Sequence, residues 1–362
     1  MKRIAILGGG HGGYAAAVDL TLRGWEVSMF TFSAERVSYL KDRNNEIAYD
    51  GVWGQGACKV REITDDMEKA VREAELIIMA VPGPGHEKYL RELKPYMRED
   101  VILFMNPGHS GGALHAAQIL RGRYQIAEAN TLSYIARKKD ESEVFVSSAD
   151  KAVKVGVFPS EKTEAAIEKI REIYPNVKQA RNVLDTTFSN INAMFHPPGV
   201  LLNAGWIEHT RGDFRFYYDG ITESVGSVAD CLDQERQMIA RAYGLPSEDF
   251  SHALYEAGST SKRGMESHSA YVACQESRVN QFIKAPESLN HRYMHEDISS
   301  GLVPMAELAG VADIPAPLME ALITVAGAMM GRDYRREGVN LDRMGIQGRN
   351  KEEIQEYVRK GY

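Results

Sequence analysis

Cysteine is scarce in this chain of 362 residues. Cys58, Cys231 and Cys274 are odd in number and far apart. That excludes a disulfide framework and a zinc knuckle, and it points to a reducing compartment. Long basic runs are missing and the formal net charge is -7, so nucleic acid is not an expected partner. No uninterrupted apolar stretch is long enough to span a bilayer, so no membrane partner is expected either. Nothing at the N-terminus reads as a signal peptide, because Met1 leads straight into an apolar run. The expected location is the cytoplasm. Internal repeats and low-complexity tracts are lacking. A single core does not suit this length, and about two domains are expected.

What is present begins with Gly8-Gly9-Gly10-His11-Gly12-Gly13. The run Arg3–Leu7 before it is short and apolar enough for a buried parallel strand. Tyr14–Leu20 after it has a helical pattern. Strand, glycine turn and helix are the start of a dinucleotide-binding unit. Gly8 permits the tight turn and Gly10 lets the backbone approach a pyrophosphate. Gly13 brings helix and strand together. The N–H groups at the helix start, through His11, Gly12 and Gly13, then face the phosphates.

The second strand is Trp25–Phe30, and an acid is expected at its end for selective binding of NAD. The sequence there is Thr31-Phe32-Ser33-Ala34-Glu35-Arg36, without an acid at the expected place. Thr31 and Ser33 offer hydrogen bonds to a 2′-phosphate and Arg36 offers its charge, which favours NADP over NAD. The alternative is that Arg36 is a solvated helix residue and NAD binds without the acid. Residues 43–63 read as a less regular region, followed by a helix over 67–74. Strands Leu76–Val81 and Val101–Met105 end in Pro82-Gly83-Pro84-Gly85 and Asn106-Pro107-Gly108. Ligands bind at such carboxyl ends, so Val81, Pro82, Asn106 and Pro107 join the candidate cofactor residues.

Short strands are expected at 126–128, 132–135, 144–146 and 153–157, then a helix begun by Ser160 as its N-cap. The second half reads as almost entirely helical, with helices over 185–195, 199–209, 221–243 and 316–330. In the third of these, Val225, Val228, Leu232, Met238 and Ile239 approximate one apolar face. The expected fold class is therefore α/β, with an N-terminal Rossmann dinucleotide-binding domain over 1–180. An all-α C-terminal substrate and catalytic domain over 181–362 follows, with a cleft between the two.

Two residues stand out for chemistry. His196 follows the apolar stripe Leu184, Phe188, Ile191 and Phe195, and it precedes Pro197-Pro198. Pro197 disfavours continued α geometry at His196, so its ring has a route into a cleft. Local sequence alone favours a helix-capping or satisfied core histidine. Asp297 precedes Ser299, Ser300 and Gly301, a setting equally suited to a turn or cap residue. His291 and His295, with Glu296 and Asp297 beside them, raise a metal site, but no further ligand pattern supports one.

Several stretches taken together resemble the octopine/nopaline (opine) dehydrogenase family. They are Asn190-x-Asn192-x-x-x-His196-Pro197-Pro198, Leu201–Gly205, Tyr217-Tyr218-Asp219-Gly220, Leu232-Asp233-x-Glu235-Arg236, Ala242–Leu245, and Arg292-Tyr293-x-x-Glu296-Asp297-Ile298 with Gly301–Pro304. The resemblance covers nearly the whole chain. It implies that His196 and Asp297 are the catalytic pair, which reverses the local reading of His196. It also implies an NAD(P)H-dependent reductive condensation of an amino acid with a 2-oxo acid such as pyruvate, and the reverse oxidation. Arg292 and Asn192 are then candidates for the substrate carboxylates and Glu128 for the amino group. The segment after Glu128 departs from the family pattern, which more often has proline where Ser133 stands. The expected partners are these small substrates, with a homodimer as the assembly to test. Reduction of an oxo acid to a hydroxy acid, and a non-catalytic dinucleotide sensor, are the competing functions.

Overall fold

The computed structural model describes residues 2–149 and 151–361. The chain divides into two compact units, Met1–Thr186 with Glu356–Tyr362, and Thr187–Gln355. From sequence alone the division falls near Ala180 and the whole C-terminal stretch belongs to the helical half. That stretch instead ends in the first unit. The Tyr357 ring packs on Phe158 at 5.0 Å, and Arg359 pairs with Glu161.

In the first unit the strands are β1 (Arg3–Leu7), β2 (Glu26–Phe30), β3 (Glu46–Gly51), β4 (Gly56–Lys59), β5 (Glu62–Thr64), β6 (Leu76–Met79), β7 (Ile102–Met105), β8 (Gln125–Ala129), β9 (Ile135–Lys138), β10 (Glu143–Ser148), β11 (Lys154–Phe158) and β12 (Lys178–Gln179). Among the described residues they form an eight-stranded sheet, β12-β11-β8-β7-β6-β1-β2-β5, and a four-stranded sheet, β4-β3-β10-β9. In the large sheet only the β8–β11 pairing is antiparallel. Leu76–Met79 and Ile102–Met105 are buried throughout. Strands covered on both faces bury every residue, which is why they read as unbroken apolar runs.

From β1 the chain builds outwards in both directions, to β2 and β5 on one side and to β6, β7 and β8 on the other. This reversal of order opens a crevice at the carboxyl ends of the strands. Leu7 pairs with both Phe30 and Met79, so Gly8, Thr31 and Ala80 emerge side by side.

The helices of this unit are α1 (His11–Leu22), α2 (Ala34–Lys41), α3 (Met67–Val71), α4 (His86–Leu93), α5 (Gly112–Leu120) and α6 (Thr163–Arg171). Gly12 to Leu20 of α1 is buried without a break, and a run of alanines lets that helix lie close on the sheet.

The small sheet corrects the expectation of irregular chain over 43–63. In β3 only Ile47 is fully buried, so no alternating pattern marks the strand. Its parallel partner β10 begins almost a hundred residues later, at Glu143 opposite Ala48. The expected strand over 132–135 starts only at Ile135. The expected N-cap Ser160 lies in a single 3-10 turn, Ser160–Lys162, and α6 begins at Thr163.

The second unit is helical, with α7 (Val183–Phe188) leading in from the first and α8 (Asn192–Leu201), α9 (Ala204–Thr210) and α10 (Glu223–Ala242) following in order. The helix expected over 185–195 is broken between α7 and α8. Arg236 Nη1 donates to the carbonyl of Phe188 at 2.6 Å, at the end of α7, and satisfies a carbonyl left open there. α8 then runs through Pro197 and Pro198 rather than stopping at His196. Two backbone donors are lost, yet every residue from Ala193 to Leu201 is buried, and that packing offsets the cost. In α10 the apolar face is Val225, Ala229, Leu232 and Ile239. Met238, expected on that face, is exposed. Glu235 turns inward and accepts the N–H groups of Leu318 and Met319 at 2.8 and 2.9 Å, an anion at the start of the helix Pro317–Met330. Among the described residues no helix is long and apolar enough to cross a membrane.

Candidate active site

The glycine loop fits a dinucleotide by its own geometry. Gly8 has φ +124°, and a Cβ there would lie 2.5 Å from the Ala80 carbonyl oxygen. A Cβ on Gly13 would lie 1.8 Å from the Gly8 carbonyl oxygen. Both positions need glycine for the fold itself. Gly10 differs, because a Cβ there meets no protein atom within 4 Å. Its bareness leaves open space at the start of α1, where backbone N–H groups receive phosphates.

The other candidate cofactor residues are partly engaged within the first unit. His11 opens α1, and its Nδ1 accepts the Lys138 N–H at 2.8 Å. Gly12 faces the side chain of Leu132. Ser33 is the N-cap of α2, accepting the Arg36 N–H at 3.2 Å. Thr31 is buried, and its Oγ1 accepts from Arg36 Nη1 at 3.4 Å. The Arg36 guanidinium is bound by the Glu141 carboxylate, a partner that the sequence alone does not show. The Val81 carbonyl is bonded to the His86 ring at 2.9 Å, and Pro82 leads into the turn Gly83–Gly85. Asn106 is buried and spends its amide on Ser133, as donor to Oγ at 3.0 Å and acceptor from N–H at 3.1 Å. Pro107 follows it in the same loop through a cis peptide bond.

Glu128 does not stand where an amino group would reach it in this structure. It is fully buried. One oxygen accepts the Ala113 N–H at 2.7 Å, in the first turn of α5, and the other accepts the Thr186 hydroxyl at 2.7 Å. Burial pushes its carboxyl up to about 7, against the pull of those two hydrogen bonds.

The second unit gathers the other candidates. His196 is buried in α8. Asp297 ends the short helix Arg292–Asp297. Their helices come close because Gly301, in the turn after Asp297, sits against Ala193 of α8; a Cβ on Gly301 would lie 2.7 Å from that methyl group. His196 Nδ1 and Asp297 Oδ2 are 2.7 Å apart. The carboxylate can only accept, so Nδ1 carries a proton. His196 Nε2 is 2.9 Å from the Tyr217 hydroxyl. Burial raises the Tyr217 phenol well above its ordinary range, so it is a neutral donor, and neutral His196 accepts its proton at Nε2.

Tyr293 stacks on the imidazole at 3.7 Å between ring centroids with a 16° interplanar angle. Phe195 meets it edge-on at 4.4 Å. Tyr217 and Tyr293 hydroxyls are 3.5 Å apart. Neither tyrosine was singled out as a site residue from sequence. Their signal was present in the segments that resemble the family, Tyr217–Gly220 and Arg292-Tyr293.

Arg292 begins the same helix as Asp297, and its side chain is 55% exposed, with Glu296 3.9 Å away. Glu296, Tyr293 and Asp297 raise the pKa of this guanidinium further, and it stays protonated in any case. Asn192 is half-buried one turn before His196 on α8. His291 accepts the Tyr293 N–H at 3.3 Å, and His295 bonds Tyr334 and Asn290 at 2.6 and 2.8 Å. These two histidines are thus taken up in local hydrogen bonds.

Residues 179–330 match the model of the NAD/NADP octopine/nopaline dehydrogenase alpha-helical domain. Residues 3–108 match that of the NAD-dependent glycerol-3-phosphate dehydrogenase N-terminus. The chain is 33% identical over 351 residues to an opine dehydrogenase of Arthrobacter sp. (strain 1C), covering 96% of each. It is 22% identical to the octopine dehydrogenase of Mizuhopecten yessoensis, over 93% of this chain and 92% of that one. Octopine dehydrogenase solved with NADH and L-arginine has the same fold, at TM-score 0.80 and 19% identity over 98% of both chains. Yersinopine dehydrogenase with NADP+ bound does too, at TM-score 0.76 and 14% identity over 99% of this chain and 98% of that one. An N-terminal glycine-loop unit, a helical unit with a buried histidine–aspartate pair, and a relative this similar over almost the full length place the chain, an NAD(P)-dependent oxidoreductase, in the octopine/nopaline (opine) dehydrogenase family.

Proposed function

We propose that this enzyme joins an amino acid to a 2-oxo acid such as pyruvate by reductive condensation, and catalyses the reverse oxidation. The observation that carries the reading is His196, buried and held at both ring nitrogens by Asp297 and Tyr217, with the exposed cation Arg292 on the helix of Asp297.

The amine adds to the carbonyl carbon of the oxo acid, and the resulting hydroxyl must leave as water. Protonated His196 donates from Nε2 to that oxygen, which takes the place of the Tyr217 hydroxyl there, and the imine forms. Asp297 balances the imidazolium while it exists and keeps Nδ1 as the other donor. Bound NAD(P)H supplies the hydride that reduces the imine carbon, and a proton on the nitrogen completes the secondary amine. Such proton transfer contributes roughly a hundred to ten thousand in rate. Arg292 binds a substrate carboxylate, for which a guanidinium offers two parallel donors. Asn192 adds a hydrogen bond to a carboxylate. The reaction belongs with the cytoplasmic nicotinamide pool, a placement supported by three unpaired cysteines. Light scattering tests the homodimer.

Oxidation of NADH and NADPH, followed by absorbance with pyruvate and a panel of amino acids, tests the proposal. Coenzyme is consumed only when both substrates are present. Consumption with the oxo acid alone would assign a hydroxy acid dehydrogenase instead. No consumption with any pair, by protein that still binds coenzyme, would leave a dinucleotide sensor.

A further inference from the structure

A dinucleotide-binding unit of this plan meets the adenosine ribose at the end of its second strand, commonly through an acid. β2 offers none. The space is instead crowded by a cation and a hydroxyl. A Cβ on Gly9 would lie 2.9 Å from Arg36 Nη1 and 2.8 Å from Thr31 Oγ1. The guanidinium of Arg36 therefore lies against the glycine loop itself.

A carboxylate reaches this place from elsewhere in the same unit. Glu141 sits at the tip of the hairpin between β9 and β10. Arg36 donates to it through Nε and through Nη2, the latter at 3.3 Å. Lys138 Nζ donates to the same carboxylate at 3.0 Å. The hairpin is strapped to α1 at two points. The Lys138 N–H donates to His11 Nδ1 at 2.8 Å, and the Tyr14 hydroxyl donates to the Glu141 carbonyl at 2.8 Å. The Arg36 hydrogen bond, with Lys138, holds the Glu141 carboxyl down at about 2, so it is ionised. Its side chain is 47% exposed, over cations only 23% (Arg36) and 11% (Lys138) exposed.

We propose that Glu141 sets coenzyme selectivity, its carboxylate replacing the acid missing from β2 and occupying the two cations that a 2′-phosphate would need. A ribose 2′-hydroxyl donates a hydrogen bond to this carboxylate at no cost in charge. A 2′-phosphate must displace it or crowd a second anion beside it. The enzyme is therefore selective for NAD, and the inclination towards NADP drawn from Arg36 alone is reversed. This inference rests on the dinucleotide reading of the first unit and not on the chemistry assigned to His196.

The test is the dissociation constants of NADH and NADPH, by fluorescence titration without substrates. Wild-type protein binds NADH at least about tenfold tighter. Glu141→Gln keeps the shape of the side chain and removes its charge. It tightens NADPH about tenfold or more and weakens NADH by a few-fold. Arg36→Ala added to Glu141→Gln abolishes the gain for NADPH. Wild-type preference for NADPH, or a Glu141→Gln ratio within twofold of wild type, overturns the inference. Wild-type protein that binds neither coenzyme overturns the dinucleotide reading as well. A shifted ratio in an enzyme that forms no opine upholds the inference and defeats only the proposed reaction.

Discussion

Asp297 Oδ2 lies 2.7 Å from Nδ1 of His196, although 101 residues separate them along the chain. Both side chains are almost wholly buried. Buried charge is tolerated only when paired, so the contact ties the acid–base group to its counter-ion as one unit.

His196→Ala lowers kcat about a hundredfold or more while coenzyme still binds, because the group acts in proton transfer. Asp297→Asn keeps the size of the side chain and lowers kcat in the same way. The double variant is far from additive, since each single change already disables the pair. Steady-state kinetics with both substrates checks this. Additive losses would mean the two residues act independently.

Tyr217→Phe probes the other side of the ring. The hydroxyl lies 2.9 Å from Nε2 and helps to hold the ring in place. The kcat falls about tenfold, as for loss of one buried hydrogen bond. Coenzyme affinity is unchanged. An unchanged kcat would give Tyr217 a packing role only.

Two glycines of one loop respond in opposite ways. Gly13→Ala places a Cβ 1.8 Å from the Gly8 carbonyl oxygen, which forces the backbone apart and costs about 2–4 kcal/mol in stability. Gly10→Val meets no protein atom within 4 Å at its Cβ, and the φ of -91° there suits any residue. It keeps the melting temperature and weakens NADH binding tenfold or more. Thermal denaturation and coenzyme titration on both variants separate the two effects.

Glu128 couples stability to pH. Its carboxyl is raised from the ordinary 4.5 to about 7 in the folded protein. Between those values the folded state binds a proton that the unfolded state has lost. Stability from this group is therefore full at acid pH and declines as pH rises from about 4.5 towards 7. Glu128→Gln has no proton to lose, so its melting temperature falls less than wild type between pH 5 and 8. Parallel pH–melting curves for the two proteins would reject the assignment.

Much of this was legible without coordinates. The Gly8–Gly13 run after an apolar strand specifies a tight turn and a helix start, because only glycine tolerates the φ at Gly8 and the closeness at Gly13. The buried strands β1, β6 and β7 announce themselves by local composition alone. The helical second half follows from periodicity, and the segments around His196 and Asp297 carry the family resemblance. Each of these signals lies within a few neighbouring residues.

Tertiary structure decided what depends on residues distant in sequence. β3 is a strand because β4 and the distant β10 pair with it on either side, not because Glu46–Gly51 alternates. α8 passes through Pro197-Pro198 because packing outweighs two missing donors. Arg36 reads as a free cation until Glu141, 105 residues on, is found against it. The sequence names His196 and Asp297, but Tyr217 at Nε2 and Tyr293 on the ring face enter only when three segments of the helical unit converge. Local pattern encodes backbone geometry, whereas the charge state and partners of a side chain are set by whatever the fold brings beside it.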